Sequence, residues 1–296
     1  RYSRPTMVTR LHAAGVRVAA FLPTRTPRLF HYANMRNHRK LLIADGRIGF
    51  TGGTNIREGH QLKLDPASPV SCLHFRFAGP VVAHLQEVFA MDWAFATDES
   101  LDGETWFPEI DRVGKVWCRG IAGGPDEDLD KMPLTIMGAI NAARGSIYVI
   151  TPYFLPEQPL LQALYAAALR GVDIRIIVPS RVNVRPVQWA STTLMPYLIE
   201  RGCRIYLSDP PFDHTKLILV DGVWQLVGST NWDPRSLRLN FEFNVECYSA
   251  ELGSTLGDVF RQRLEHSQEV TLEQLGQAAL PAKLRNGFAR LFTPYL

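Results

Sequence analysis

Two histidines, each two residues before a lysine, are the side chains of this 296-residue chain best suited to chemistry. One set reads His38-Arg39-Lys40, four apolar residues, Asp45, six residues and Gly52-Gly53-Thr54-Asn55. The other reads His214-Thr215-Lys216, four apolar residues, Asp221, six residues and Gly228-Ser229-Thr230-Asn231. A single His-x-Lys is most simply a surface strand. Two copies in one frame, H-x-K-x4-D-x6-G-[GS]-T-N, form an internal repeat and reverse that reading.

Two imidazoles and two ammonium groups converging on one point suit in-line displacement at phosphorus. One neutral imidazole attacks and becomes a phosphohistidine. The other, protonated, gives its proton to the departing alkoxide and later takes one from the incoming acceptor. An ordinary histidine pKa near neutrality suits both parts, and the motif does not say which histidine plays which. Lys40 and Lys216, with Asn55, Asn231 and the Ser229 hydroxyl, are placed to hold the non-bridging oxygens as charge shifts. Neither a carboxylate cluster nor a histidine pair stands at metal-ligand spacing, so no metal and no cofactor are expected. From Leu237 the chain alternates Leu-Arg-Leu-Asn-Phe-Glu-Phe-Asn, which predicts a half-buried strand with Asn240, Glu242 and Asn244 on one face. Glu242 is then the candidate to accept the N–H of the second imidazole and fix its tautomer.

These side chains need elements to position them. Period 2 puts His214 and Lys216 on one face of a strand and Leu217 and Leu219 on the other, and His38 and Lys40 repeat the pattern. Asp45-Gly46 and Asp221-Gly222 are hairpin turns, which gives each aspartate a structural reading. Upstream, Ala14-Gly15-Val16-Arg17-Val18 matches Arg201-Gly202-Cys203-Arg204-Ile205, a glycine-stopped helix followed by a strand. Residues 145–151 read as a buried strand, 159–170 as a helix stopped by Gly171, and 172–178 as another strand. The first copy has no counterpart to that unit, so the first domain is expected to be incomplete by at least two strands. Alternation of strands and helices predicts an α/β fold of two similar domains, 1–112 and 113–296, joined through the polar run 97–104 and Gly123-Gly124-Pro125.

Composition bounds the partners. No apolar run reaches the length needed to cross a bilayer, and the opening residues carry no leader pattern. Four scattered cysteines suggest neither a disulfide framework nor a zinc site. Net charge is +3, yet the first 57 residues carry +10, with Asp45 their one acid, and the rest carry −7. Such a block suits a phosphate-rich partner, an anionic membrane or a nucleic acid. The loop from Pro23 to Asn37 mixes Arg25, Arg28 and Arg36 with Phe30 and Tyr32, as a headgroup-binding loop or a plain surface loop would. Near the C-terminus, Leu280, Leu284, Phe288 and Leu291 share one helical face beside Lys283, Arg285 and Arg290. That pattern fits an interfacial helix and a helix packed on the second domain equally.

The doubled motif resembles the phospholipase D superfamily, and its bacterial cardiolipin synthase branch most closely. The branch resemblance rests on Asn37–Leu42, Gly52–Ile56, Gly79–Val82, Asp92–Phe95, Gly124–Asp126, Thr151–Pro156 and Asp233–Leu237. It implies two α/β domains of mixed sheets flanked by helices, with the active site at a pseudo-twofold interface. It implies a phosphatidyltransferase that moves a phosphatidyl group between phosphatidylglycerol molecules, free of metal, on the cytoplasmic side of a bacterial inner membrane. His38, Lys40, Asp45, His214, Lys216 and Asp221 are the residues of its catalytic motif. Hydrolysis by the same intermediate is one alternative. A nuclease or DNA-end phosphodiesterase is another, against which the Thr151–Pro156 and Asp233–Leu237 matches weigh. Relatives tend to have an acidic residue near Ser71-Cys72-Leu73, which predicts that His38 lacks the carboxylate that Glu242 gives His214. Gly53 stands where the second motif has Ser229 and removes one phosphate donor.

Overall fold

The computed structural model describes residues 6–23 and 35–293. The first half contains α1 (Met7–Ala13), β1 (Arg36–Asn37), β2 (Leu42–Ala44), β3 (Ile48–Gly52), β4 (Val70–Ser71), β5 (His74–Ala78) and α2 (Val81–Thr97). The second begins with β6 (Trp117–Gly123), α3 (Lys131–Ala142), β7 (Ser146–Ile150), α4 (Gln158–Leu169), β8 (Asp173–Pro179), α5 (Arg185–Thr192) and α6 (Met195–Ile199). It continues through β9 (Arg204–Ser208), β10 (Phe212–Asp213), β11 (Leu217–Val220), β12 (Trp224–Gly228) and β13 (Asn240–Tyr248). After these come α7 (Ala250–Glu265), β14 (Ser267–Glu269), α8 (Leu272–Gly276) and α9 (Leu280–Leu291). The basic and aromatic loop residues Arg25, Arg28, Phe30 and Tyr32 lie outside the described residues.

The fold is a mixed α/β architecture with helices flanking a large sheet. That sheet runs β1-β13-β12-β11-β7-β8-β9-β14, with β6 also paired to β13. β7, β8 and β9 are parallel, while β11 lies antiparallel between β7 and β12. Alternation along β7 and β8 sends side chains to both faces, and both are covered. Ile147, Val149, Ile174, Ile176, Ile218 and Val220 meet α3, α4, α5 and α6 on one face. Ile150, Ile177, Leu217, Leu219 and Phe243 meet α7 on the other, where Val82, Leu85 and Val88 of α2 and Phe77 of β5 join them. The first half, with its separate sheet β2-β3-β5, therefore shares a core with the second.

The turn chemistry holds where glycine and aspartate set it. Gly15 and Gly202 take φ of 76° and 90° after their helices, and Gly171 takes 85° after α4. Asp45-Gly46 and Asp221-Gly222 take positive φ at both positions and close the β2–β3 and β11–β12 hairpins. Three expectations are corrected. Residues 16–20 form no strand, because no described strand runs beside them as β8 and β14 run beside β9. Residues 235–239 form a π-helical turn rather than the start of β13, since the Asp233 side chain accepts the Ser236 N–H at 2.8 Å and folds the chain there. The His-x-Lys tripeptides lie outside the strands, between β1 and β2 and between β10 and β11, where the chain crosses from one sheet to another. Cys118 and Cys247 face each other across β6 and β13 as thiols with sulfurs 3.3 Å apart.

The basic first half is partly neutralised internally. Arg17 pairs with Glu99, and Arg39 pairs with Asp92 of α2.

Candidate active site

Each histidine is held by a strand of the opposite half. β1 runs parallel to β13, with Asn37 beside Phe241, and the His38 N–H donates to the Phe241 carbonyl at 2.8 Å. β10 runs parallel to β4, with Asp213 beside Ser71, and the His214 N–H donates to the Ser71 carbonyl at 2.7 Å. The next residue along the supporting strand is Glu242 for His38 and Cys72 for His214. The two half-sites thus exchange strands as a pseudo-twofold pair would, and they differ at this position.

That exchange reverses the expected pairing of Glu242. Its two oxygens stand 2.8 and 2.9 Å from Nδ1 of His38, not of His214. Nδ1 of His214 lies 2.7 Å from the Gly53 carbonyl oxygen. A carboxylate and a carbonyl can only accept, so Nδ1 is the donor in both rings and Nε2 is left for chemistry. His214, not His38, is the histidine without a carboxylate, because Cys72 stands where Glu242 stands in the other half. Gly53 is required by the same geometry. A Cβ there would lie 2.3 Å from the His214 carbonyl oxygen and 2.6 Å from the Cys72 sulfur, so a counterpart of Ser229 has no room.

Lys40 and Lys216 repeat each other: their Nζ atoms donate to the carbonyls of His38 and His214, at 2.7 and 2.9 Å. Burial pushes Lys40 down to about 8. Burial, with Lys40 adding its charge, pushes Lys216 down to about 7. Burial and the charge of Lys216 hold His214 down to about 2. Burial also lowers His38, with Glu242 pulling against it. Glu242 is itself buried, which favours its neutral form, but His38, Lys40 and Ser229 outweigh this and keep its pKa below the ordinary value. Four potential cations crowded around one carboxylate repel one another, which favours loss of positive charge, and an incoming phosphodiester would favour its return.

The remaining candidates divide. Ser229 is fully buried, with its hydroxyl on Glu242 and accepting the Phe243 N–H at 3.0 Å, an arrangement that suits a supporting role beside the carboxylate. The Asn231 amide lies beside Ser236 at 3.0 Å, while its oxygen has no partner among the described residues. A serine hydroxyl accepts or donates equally, so either orientation of the amide satisfies Ser236. Asn55 is half-buried just after β3. Asp45 and Asp221 lie in the hairpin turns. Asp221 accepts the N–H groups of Arg144, Gly145 and Ser146 at 2.9, 2.7 and 2.8 Å, at the far end of β11 from Lys216. Asp45 is exposed in the matching turn.

Sequence reasoning missed several neighbours. The ring of His60 stands 6.1 Å from that of His214, and that of Tyr153 stands 6.4 Å from it. Burial drives the Tyr153 hydroxyl up to about 12, so it stays protonated. Tyr153 belongs to the Thr151–Pro156 segment already singled out, whereas no spacing pointed to His60. Asp233 is buried and pushed up to about 7 by that burial. Asn240 donates to Glu242 at 3.1 Å. Asn37 and Arg39 reach Asp92 of α2, and Asp213 meets Arg263 of α7 at 2.8 Å, so each motif is also tied to a helix of its own half. Among the described residues, no three His, Cys, Asp or Glu side chains gather as a metal site requires.

A family model described as a cardiolipin synthase, PLD-like domain matches residues 136–264. The cardiolipin synthase of Geobacillus thermodenitrificans is 35% identical over 291 residues, covering 98% of this chain and 58% of that protein. Cardiolipin synthase 2 of Bacillus anthracis is 34% identical, covering 98% of this chain and 57% of that protein. The chain thus spans a little under three fifths of the length of these relatives. Among solved structures, a phosphatidylserine synthase from Haemophilus influenzae superposes with a TM-score of 0.67 at 13% identity. It covers 88% of this chain and 71% of that one, a likeness of fold alone.

Proposed function

The chain belongs to the phospholipase D superfamily, and on that footing we propose that it carries out phosphatidyl transfer of the cardiolipin synthase type. The observation that supports this reading most is the exchange of strands that sets His38 against Glu242 and His214 against Gly53 in one site. A phosphatidylglycerol donor seats its phosphate between Lys40 and Lys216. Nε2 of one histidine attacks phosphorus as the bond to the glycerol oxygen breaks, and the other histidine gives that oxygen its proton. Glycerol leaves. The hydroxyl of a second phosphatidylglycerol returns a proton to that histidine and attacks phosphorus, the P–N bond breaks, and cardiolipin forms. Lys40, Lys216, Asn231 and Asn55 stabilise the equatorial oxygens. Glu242 holds the tautomer of His38, Ser229 braces Glu242, and Tyr153 bounds the site beside His214.

The same reading divides the chain into units 1–112 and 113–296, which meet at this site. It places the protein at the cytoplasmic side of the bacterial inner membrane, bound to anionic phospholipid without a metal. The relatives are named for the activity; for this chain the test is direct. The protein is incubated with phosphatidylglycerol in mixed micelles containing EDTA, and the lipids are identified by mass spectrometry. Cardiolipin and free glycerol are expected, with loss of several orders of magnitude in His214→Ala. Phosphatidic acid without cardiolipin would make it a hydrolase. No lipid turnover, or turnover only with an added divalent metal, would overturn the reading, and salt-sensitive cleavage of DNA would replace it.

A further inference from the structure

The last helix, α9, wears its apolar side chains on the outside. Leu280, Leu284, Phe288 and Leu291 fall on one helical stripe and are 68, 65, 63 and 73% exposed. Phe292 extends the stripe, its ring meeting that of Phe288 edge-on at 5.1 Å. The opposite flank does the packing: Ala289 is buried, and the Arg285 guanidinium lies over the Trp189 ring of α5 at 4.4 Å. A helix recruited only to complete a core would present these two flanks the other way round.

The charges on α9 say what suits the stripe. Lys283, Arg285 and Arg290 are its only charged residues, and all three are exposed. Lys283 donates to the Gly276 carbonyl and Arg285 to the Asn286 amide oxygen, so these bonds leave both charges uncompensated. A second copy of the stripe would bring three more cations against these three, which opposes self-pairing. A surface of anionic headgroups over acyl chains satisfies both halves of the pattern, apolar side chains below and bases at headgroup level.

The helix also borders a surface cleft. Arg290 and Thr293 line it with Leu155 and Pro156, from the segment that carries Tyr153, and with Arg238, whose charge Glu157 pairs. On the far flank of α5 from Trp189, Val187 joins Met195, Leu207, Val270 and Tyr153 around an apolar cavity of about 100 Å³. Tyr153 in turn stands against His214.

We infer that α9 is an interfacial helix that seats the protein on an anionic phospholipid bilayer, with Leu280, Leu284, Phe288 and Leu291 inserted at the headgroup boundary. The inference deepens the proposed reading of a phospholipid substrate and rests on it for the choice of lipid as partner.

Sedimentation with vesicles of phosphatidylglycerol and phosphatidylcholine in a one-to-three mixture tests it. Leu284→Glu combined with Phe288→Glu is expected to lower the vesicle partition coefficient at least about tenfold. Replacing Lys283, Arg285 and Arg290 with Gln is expected to weaken binding to these vesicles and to remove the advantage over pure phosphatidylcholine. Phe288→Trp supplies a readout that needs no loss of binding: bromine-labelled acyl chains should quench it beyond the wild-type level. Unchanged partition of the double glutamate variant, or no added quenching of Phe288→Trp, would overturn the inference. So would a lipid-free dimer that the two glutamates dissociate, which would assign the stripe to a second copy. Turnover of micellar phosphatidylglycerol separates this idea from the catalytic one. Variants that lose vesicle binding but keep micellar turnover support the docking role. A wild type that binds vesicles through α9 yet turns over no lipid overturns only the catalytic reading.

Discussion

Glu242 grips His38 through both oxygens, whereas His214 leans on a backbone carbonyl, and the two histidines should respond differently to change. Glu242→Gln keeps the shape but removes the charge that favours a protonated His38, and its amide can set the wrong tautomer. We expect turnover to fall about 100-fold or more, with KM little changed, measured by initial rates on micellar phosphatidylglycerol. Lys216 and Lys40 set the pH response. Their pKa values are pushed down to about 7 and about 8, so the ammonium forms are present below those values and lost as pH rises through them. Because kcat/KM reports the free enzyme, it should decline on the alkaline side from about pH 7 to 9. A bound phosphodiester favours the charged lysines, so the limb in kcat should lie higher. Identical limbs in the two profiles would contradict this. At this scale, the four catalytic candidates were legible because they repeat. The partner of Glu242 was not, since period 2 assigns a face but not which half of the molecule that face meets.

Asp221 shows what the repeat preserves at the level of elements. Its carboxylate gathers three N–H groups at the start of β7, and its φ of 53° suits aspartate far better than residues with bulkier β-carbons. Asp221→Ala should therefore cost about 2–3 kcal/mol of stability, read as a lower denaturant midpoint, while turnover per folded molecule stays close to wild type. A catalytic loss without a stability loss would return Asp221 to the chemistry. The two strands and the helix between them from 146 to 179 were readable because apolar runs end at glycines such as Gly171. The alternation from Leu237 misled because Asp233, a buried side chain acting on a backbone N–H three residues on, bends the chain into a π-turn before β13 begins. Residues 16–20 carry a strand-like sequence but lack a neighbouring strand, and a strand without a partner leaves its backbone groups unpaired.

Over the whole molecule, the two halves were visible as a repeat, and their shared core was not. α2 and β5 close the face of the second-half sheet that α7 leaves open, so residues from both halves bury one another. The same intimacy lets β1 and β10 cross over and bring both histidines to one place. The central claim is that these two half-sites act as one centre through a covalent phosphohistidine. The most direct measurement quenches the protein during turnover of phosphatidylglycerol in EDTA and maps acid-labile adducts by peptide mass spectrometry. A phosphatidyl group is expected on the peptide bearing His38 or His214, absent when that histidine is replaced by alanine. Continuing turnover with no adduct on either peptide, or with both histidines replaced, would contradict it.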